Sequence, residues 1–223
     1  MFIKMKLSDT FVVFDLDDTL YSERNYFLSG LHAVSRKLSA IFRQDVDTII
    51  GSLVDGGVSD LWGGVCNRLG LPDSAKESLL WEYRLHTPEI TLAPDASRFL
   101  SKVRGEAAGV AIVTDGRAVT QRLKLHALGL VDIPAYISEE YGASKPDPKR
   151  FELIEREYAA DQFVYIGDNP KKDFVAPNRM GWTTLGLIDM GGNIHPQNLE
   201  DLAAEYHPDY WFESFSQLEE FFS

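Results

Sequence analysis

The chain has 223 residues, of which 44% are hydrophobic and 25% charged, and a formal net charge of −12. That size and balance describe a globular protein with one large domain, or a core with a small insert. The acidic surplus argues against nucleic acid polymers and anionic membranes as partners, since both need a cationic face, but leaves room for a small anionic substrate at a locally positive site.

The single Cys66 allows no internal disulfide and fits a reducing, cytoplasmic compartment. Residues 1–7 contain no long apolar run, so no secretory signal is expected, and no apolar run approaches membrane-spanning length. Thr10-Phe11-Val12-Val13-Phe14 reads as a buried strand. Asp15-Leu16-Asp17-Asp18-Thr19 follows at its carboxyl end, where ligand crevices of open α/β sheets lie. Acids clustered there bind a metal, take part in phosphoryl chemistry, or form a solvated helix-capping turn. The pentapeptide alone does not choose among these.

Helical periodicity comes next. Phe27, Leu31, Val34, Leu38 and Ile41 recur at three- and four-residue spacing, and Val46 to Leu53, Leu61 to Leu69 and Leu79 to Tyr83 repeat the pattern. Gly56-Gly57 and Gly70-Leu71-Pro72 punctuate it. Residues 22–88 are therefore expected to form a compact all-helical insert. From Pro94 the rhythm becomes alternating helix and strand. Pro94 opens a helix through Val103; Gly109–Val113 is a strand ending at Thr114-Asp115-Gly116; a helix from Arg117 to Leu128 stops at Gly129. Ala135–Ser138 is a short strand, and Asp147-Pro148 is expected to cap and open the next helix. Gln162–Ile166 is a strand ending at Gly167-Asp168, Pro170 is expected to begin a helix, and Thr183–Ile188 is the next strand. Asp209–Phe212 reads as an edge strand before a closing helix, whereas 189–207 carries no readable periodicity. Such alternation implies an α/β fold with a doubly wound parallel sheet.

Four chemical signals fall at successive strand ends, or just beyond: Asp15 and Asp17; Thr114; Lys145 in Lys-Pro-Asp-Pro; and Asp168 and Asp173 in Gly-Asp-Asn-Pro-Lys-Lys-Asp. In a parallel sheet these ends share one edge, so the residues can converge. Their order and content resemble the haloacid dehalogenase (HAD) superfamily of aspartate-nucleophile phosphotransferases, over nearly the whole chain from Phe11 to Phe212. The helical insert resembles the small α-helical cap of one branch. The resemblance implies a Rossmann-like HAD core of residues 1–21 and 89–223 and a cap domain of residues 22–88.

It also implies a Mg²⁺-dependent phosphatase acting on a small phosphorylated metabolite through an aspartyl-phosphate, as a monomer or weak homo-oligomer. Asp15 would be the nucleophile and Asp17 the general acid and later base. Mg²⁺ would take oxygens from Asp15, Asp168 and the Asp17 backbone carbonyl, with Asp173 bound directly or through water. Thr114, Asp115 and Lys145 would form the phosphate site, with Thr114 and its neighbours' N–H groups at a helix start. Asp115 stands where many relatives carry Asn, and its carboxylate is expected to turn away from the phosphate. Lys145 would neutralise a phosphoryl oxygen and steady Asp15. Thr19 is expected to hold the turn. An acyl phosphate hydrolyses in water, so the insert is expected to open and close over the Asp15 edge.

Other readings of the same residues are a phosphomutase of the β-phosphoglucomutase type, a non-catalytic HAD-fold binding protein, and a haloacid dehalogenase. The last needs neither metal nor an acid at the second aspartate position, and Asp17 argues against it. No two histidines stand at zinc-ligand spacing. Arg24, Arg84 and His86 are weighed as leaving-group contacts against solvated surface roles, and Trp62 is read as a core residue beside a turn.

Overall fold

The computed structural model describes residues 4–197, 199–200 and 202–222. Residues 1–3, at the head of the segment read for a secretory signal, and 198 and 201, within 189–207, lie outside the described residues. The chain divides into two compact units, Met1–Arg24 with Thr91–Ser223, and Asn25–Ile90.

Strand β1 is Thr10–Phe14 and helix α1 is Glu23–Phe42. Helices α2 (Val46–Asp55), α3 (Leu61–Leu69) and α4 (Ala75–Leu85) follow. Then come α5 (Pro94–Glu106), β2 (Gly109–Thr114), α6 (Ala118–Ala127), β3 (Ala135–Ile137), α7 (Ser138–Tyr141) and α8 (Lys149–Glu157). The chain closes with β4 (Gln162–Gly167), α9 (Val175–Arg179), β5 (Thr183–Leu187), β6 (Tyr210–Phe212) and α10 (Phe215–Glu219).

The six strands among the described residues are all parallel, in the order β3-β2-β1-β4-β5-β6. The chain winds outward from β1 to β3, then crosses to the other side of β1 for β4. A crevice opens at this switch point, at the carboxyl ends of β1 and β4. The register sets Phe14 against Ile166, and Asp15 N–H donates to the Ile166 carbonyl at 2.8 Å, so Asp15 and Asp168 leave the sheet side by side.

Every residue of β1 is buried, as expected of a central parallel strand covered on both faces. Phe11 and Val13 point to one face, into a core with Ala111, Val113, Phe151, Ile154, Tyr165, Phe174 and Trp182. Phe14 points to the other, against Phe99 and Phe215.

Two expected helix starts move. Pro170 lies in a turn, and the helix begins at Val175, because the Asp173 carboxylate draws the Asp168 and Asn169 N–H groups into a tight turn first. Pro148, not Asp147, occupies the cap position of α8, while Asp147 Oδ1 accepts the Lys149 N–H at 2.9 Å. Ser138 leaves the short strand to open α7.

The Asn25–Ile90 unit is built from the rest of α1 with α2, α3 and α4. Leu31, Val34, Leu38, Val46, Ile50, Leu53, Trp62, Val65, Cys66 and Leu79 form its core. Ile41 is exposed, because Phe42 lies one full turn beyond Leu38 and takes the inward position. Asp45 and Asp60 cap α2 and α3 by accepting the Thr48 and Gly63 N–H groups, and Gly70 ends α3 with φ 67°. Ser22 to Arg24 belong to the α/β unit. There the Glu23 N–H donates to Asp18 Oδ1 at 2.7 Å and ties the first turn of α1 to the acidic turn. No helix among the described residues is long and apolar enough to cross a membrane.

Candidate active site

The turn after β1 is shaped by Asp18, whose φ of 54° is a left-handed conformation that aspartate tolerates better than most residues. Its carboxylate spans the turn, taking the Glu23 N–H on Oδ1 and the Ile194 N–H on Oδ2. This turn presents Asp15 and Asp17. The turn after β4 presents Asp168, and its shape depends on Gly167: a Cβ there would lie 2.6 Å from Asp173 Oδ2.

Asp15, Asp168 and Asp173 are buried, and one carboxylate oxygen from each lies within 4.8 Å of the others. Lys145, from the loop between α7 and α8, donates from Nζ to Asp15 Oδ1 and Asp173 Oδ1, each at 2.5 Å, and to the Tyr165 hydroxyl at 3.1 Å. Asp173 Oδ2 accepts the N–H groups of Asp168 and Asn169 at 3.1 and 2.7 Å. Thr19 Oγ1 approaches Asp168 Oδ1 at 3.4 Å. Thr114 is buried at the end of β2. Asp15, Asp17, Asp168, Thr114 and Lys145, with Lys172 and His195, line a pocket of about 90 Å³.

The sequence matches the haloacid dehalogenase-like hydrolase family over residues 12–187, most of the chain. The chain belongs to the haloacid dehalogenase-like hydrolases. A phosphoserine phosphatase of Thermus thermophilus is 32% identical over 126 residues, covering 53% of this chain; the chain spans only about half, 50%, of that relative's length. A glyceraldehyde 3-phosphate phosphatase of Methanocaldococcus jannaschii is 22% identical over 222 residues, covering 93% of this chain and 94% of that protein. The crystal structure of a HAD-hydrolase, YfnB, from Bacillus subtilis bound to magnesium superposes with a TM-score of 0.64 at 19% identity. That match covers 96% of this chain and 98% of that one, and shows the shared fold.

In this HAD-like hydrolase the acids differ sharply in electrostatic state. Burial pushes the Asp15 carboxyl up to about 7, with Lys145 pulling it down and Asp173 and Asp17 pushing it up. Burial likewise pushes Asp168 up to about 9, reinforced by the Asp173 and Asp15 charges. Burial also acts to raise Asp17, but an ion pair with Lys124 and hydrogen bonds from Lys124, Tyr21 and Gln121 outweigh it and hold the carboxyl below its ordinary range. Burial acts to lower Lys145, but Asp15 and Asp173 outweigh it and keep it firmly protonated.

The donor set suits a hard divalent cation. The grouped ligand atoms are all carboxylate oxygens, the type Mg²⁺ prefers. Lys145 donates to two of the three buried carboxylates, Asp15 and Asp173, and a divalent cation would balance the charge that remains.

Asp115 lies beside Thr114, but its carboxylate is held by Arg150 Nη2 at 2.5 Å and by the Lys145 N–H at 3.2 Å. Those donors meet the charge that would otherwise oppose a phosphate. His86 is neither solvated nor free: it is buried within the Asn25–Ile90 unit, with Nδ1 2.6 Å from the Tyr83 carbonyl and Nε2 3.1 Å from Ser29 Oγ. Arg24 is exposed, Trp62 is in the helical core, and Arg84 lies over the Trp81 ring.

Sequence reasoning missed the residues that hold Asp17. Lys124 Nζ donates to Asp17 Oδ1 at 2.7 Å, Gln121 Nε2 donates to Asp17 Oδ2 at 2.8 Å and to Thr114 Oγ1 at 2.6 Å, and the Tyr21 hydroxyl donates to Asp17 Oδ1. Gln121 and Lys124 are both buried on the face of α6 that carries Leu125 and Leu128. Polar residues on an apolar helix face were the legible signal. It also missed Arg150, fully buried, whose Nη1 donates to the Thr114 and Tyr136 carbonyls and ties β2 to β3 beside the pocket.

Proposed function

We propose that this chain is a Mg²⁺-dependent phosphatase of small phosphorylated metabolites that works through an aspartyl-phosphate on Asp15. The observation that carries the reading is the Asp15 carboxylate held by Lys145 Nζ at 2.5 Å within the buried group that includes Asp168 and Asp173. Asp15 attacks phosphorus and the ester oxygen leaves, taking a proton from Asp17; Asp17 then removes a proton from water as it attacks the acyl phosphate, regenerating Asp15. Thr114 and the backbone N–H groups before α6 hold phosphoryl oxygens, and Lys145 adds a fixed positive charge beside them. Asp15 and Asp168, with one carboxylate oxygen each, and the Asp17 carbonyl would hold Mg²⁺, which when bound would neutralise the phosphoryl oxygens that otherwise repel a carboxylate. Asp173, whose two oxygens already accept four donors, anchors Lys145 and the Asp168 turn within this acidic group.

The names of the relatives, phosphoserine phosphatase and glyceraldehyde 3-phosphate phosphatase, direct the first trials to short phosphate monoesters. The test is phosphate release from a panel of such monoesters with Mg²⁺ present. Release that vanishes on exhaustive chelation and returns with Mg²⁺ is expected. Failure with every monoester would remove the phosphatase reading, and undiminished turnover after chelation would remove the metal.

A further inference from the structure

The first part of the unreadable stretch, the loop after β5, folds onto the two acidic turns. Asp189 Oδ1 accepts the N–H groups of Gly191, Gly192 and Asn193 at 2.7, 2.8 and 3.1 Å, which curls the loop back on itself. Gln197 clamps the return, donating from Nε2 to the Asp168 and Leu187 carbonyls at 2.7 and 2.6 Å and accepting the Asp189 N–H on Oε1 at 2.7 Å. The Ile194 N–H donates to Asp18 Oδ2 at 2.9 Å. These bonds carry Asn193 to the acidic group, where its Nδ2 donates to Asp168 Oδ2 at 2.7 Å.

Asp168 is otherwise the least anchored acid of its group. Lys145 holds Asp15, and four donors hold Asp173. Among the described residues, the Asp168 carboxylate has only the 3.4 Å approach of Thr19 besides Asn193. A neutral amide suits that position. It fixes the direction of the carboxylate with one hydrogen bond, leaves its negative charge intact, and leaves lone pairs for a cation. A lysine in its place would compete with the cation for the same oxygens.

We propose that Asn193 is a positioning residue that orients the Asp168 carboxylate toward a divalent cation, an inference that rests on the metal reading of the site given above. It assigns part of the metal site to a loop outside the motifs, reached through a single side chain.

The test is calorimetric titration of Mg²⁺ into the metal-stripped full chain, comparing wild type, Asn193→Ala and Ile194→Pro. The proline removes the N–H that ties the loop to Asp18 but keeps the Asn193 amide. Asn193→Ala should weaken Mg²⁺ binding by about 10- to 100-fold, the range for loss of such an outer hydrogen bond, with KM for substrate at saturating Mg²⁺ close to wild type. Ile194→Pro should lose less. Wild-type affinity in Asn193→Ala would overturn the proposal. An equal loss in Ile194→Pro, with a crystal structure showing the Asn193 amide still on Asp168, would also overturn it, by showing that loop anchorage, not the amide, matters. No Mg²⁺ binding by the wild type would remove the metal reading and the proposal with it.

Discussion

Lys124 and Asp17 form a largely buried ion pair, Nζ to Oδ1 at 2.7 Å, with side chains 4% and 18% exposed. It joins α6 to the turn after β1 and holds Asp17 as the carboxylate. As a carboxylate Asp17 is ready to take a proton from water. To donate one it must first be protonated against the pull of Lys124. Lys124→Met should therefore raise the pH at which Asp17 loses its proton and shift the acid limb of the pH–rate profile upward. It should also raise the ratio of alkyl to aryl phosphate hydrolysis, because an alkoxide needs a proton to leave and an aryl oxide hardly does. Steady-state rates across pH with both ester types check this. An unchanged profile and ratio would show that Lys124 is only structural.

Asp15→Asn should lower turnover by about four orders of magnitude or more and leave no covalent phosphoryl-enzyme, since an amide is a poor nucleophile. Asp17→Asn should lower turnover of an alkyl phosphate by about 10²- to 10⁴-fold. With an aryl phosphate it should still form the phosphoryl-enzyme but break it down slowly. Rapid-quench trapping of labelled phosphate on the protein separates the two. Near-normal turnover in Asp15→Asn would move the nucleophile elsewhere.

The raised carboxyls make the metal-free protein sensitive to alkali. Burial lifts Asp168 to about 9 and Asp15 to about 7, so from the ordinary carboxyl range up to those values the folded chain holds protons that an unfolded carboxyl has released. Stability contributed by these protons is present at low pH and is lost as pH rises through 7 and then 9. Asp17, held low, acts in the opposite sense, and its contribution is lost only in acid. The melting temperature without metal should fall between pH 6 and pH 9.5. On the proposed reading Mg²⁺ replaces the lost protons, so its stabilising shift should be larger at pH 9 than at pH 6. Thermal melts with and without Mg²⁺ across that range test this, and a pH-independent Mg²⁺ shift would contradict it.

His86 serves the helical unit. Its ring nitrogens meet the Tyr83 carbonyl and Ser29 Oγ, and Ser29 Oγ accepts the Glu89 N–H at 2.8 Å. His86→Ala removes both ring contacts and opens space beside Tyr26, whose ring centroid lies 5.0 Å away. Destabilisation of about 1–3 kcal/mol is expected, with the ranking of substrates unchanged. A reordered ranking without loss of stability would return His86 to the substrate.

The β1 run, the strand–helix alternation and the acids at strand ends were legible because each is a local pattern. A buried parallel strand must be apolar throughout, and a parallel sheet must bring its carboxyl ends to one edge. The expected roles of Asp15, Thr114, Lys145 and Asp168 came through the family resemblance of the combined motifs, but the residues themselves could be picked out at or beyond strand ends. The partners of Asp17 and Asp168 could not. Lys124 lies 107 residues from Asp17, and Asn193 lies 25 from Asp168. No periodicity links such pairs; only the packing of α6 and the folding of the loop after β5 brings them together. The same holds for Pro170, a local helix-start signal that yields to the Asp173 carboxylate gathering the Asp168 and Asn169 N–H groups. Sequence by itself determined the fold class, which follows from side-chain type and spacing along the chain, while the residues put forward for phosphoryl chemistry came through the resemblance that their motifs carry. Tertiary structure alone decided which carboxyls are held charged and which are pushed toward protonation, because that depends on burial and on charges supplied by distant segments.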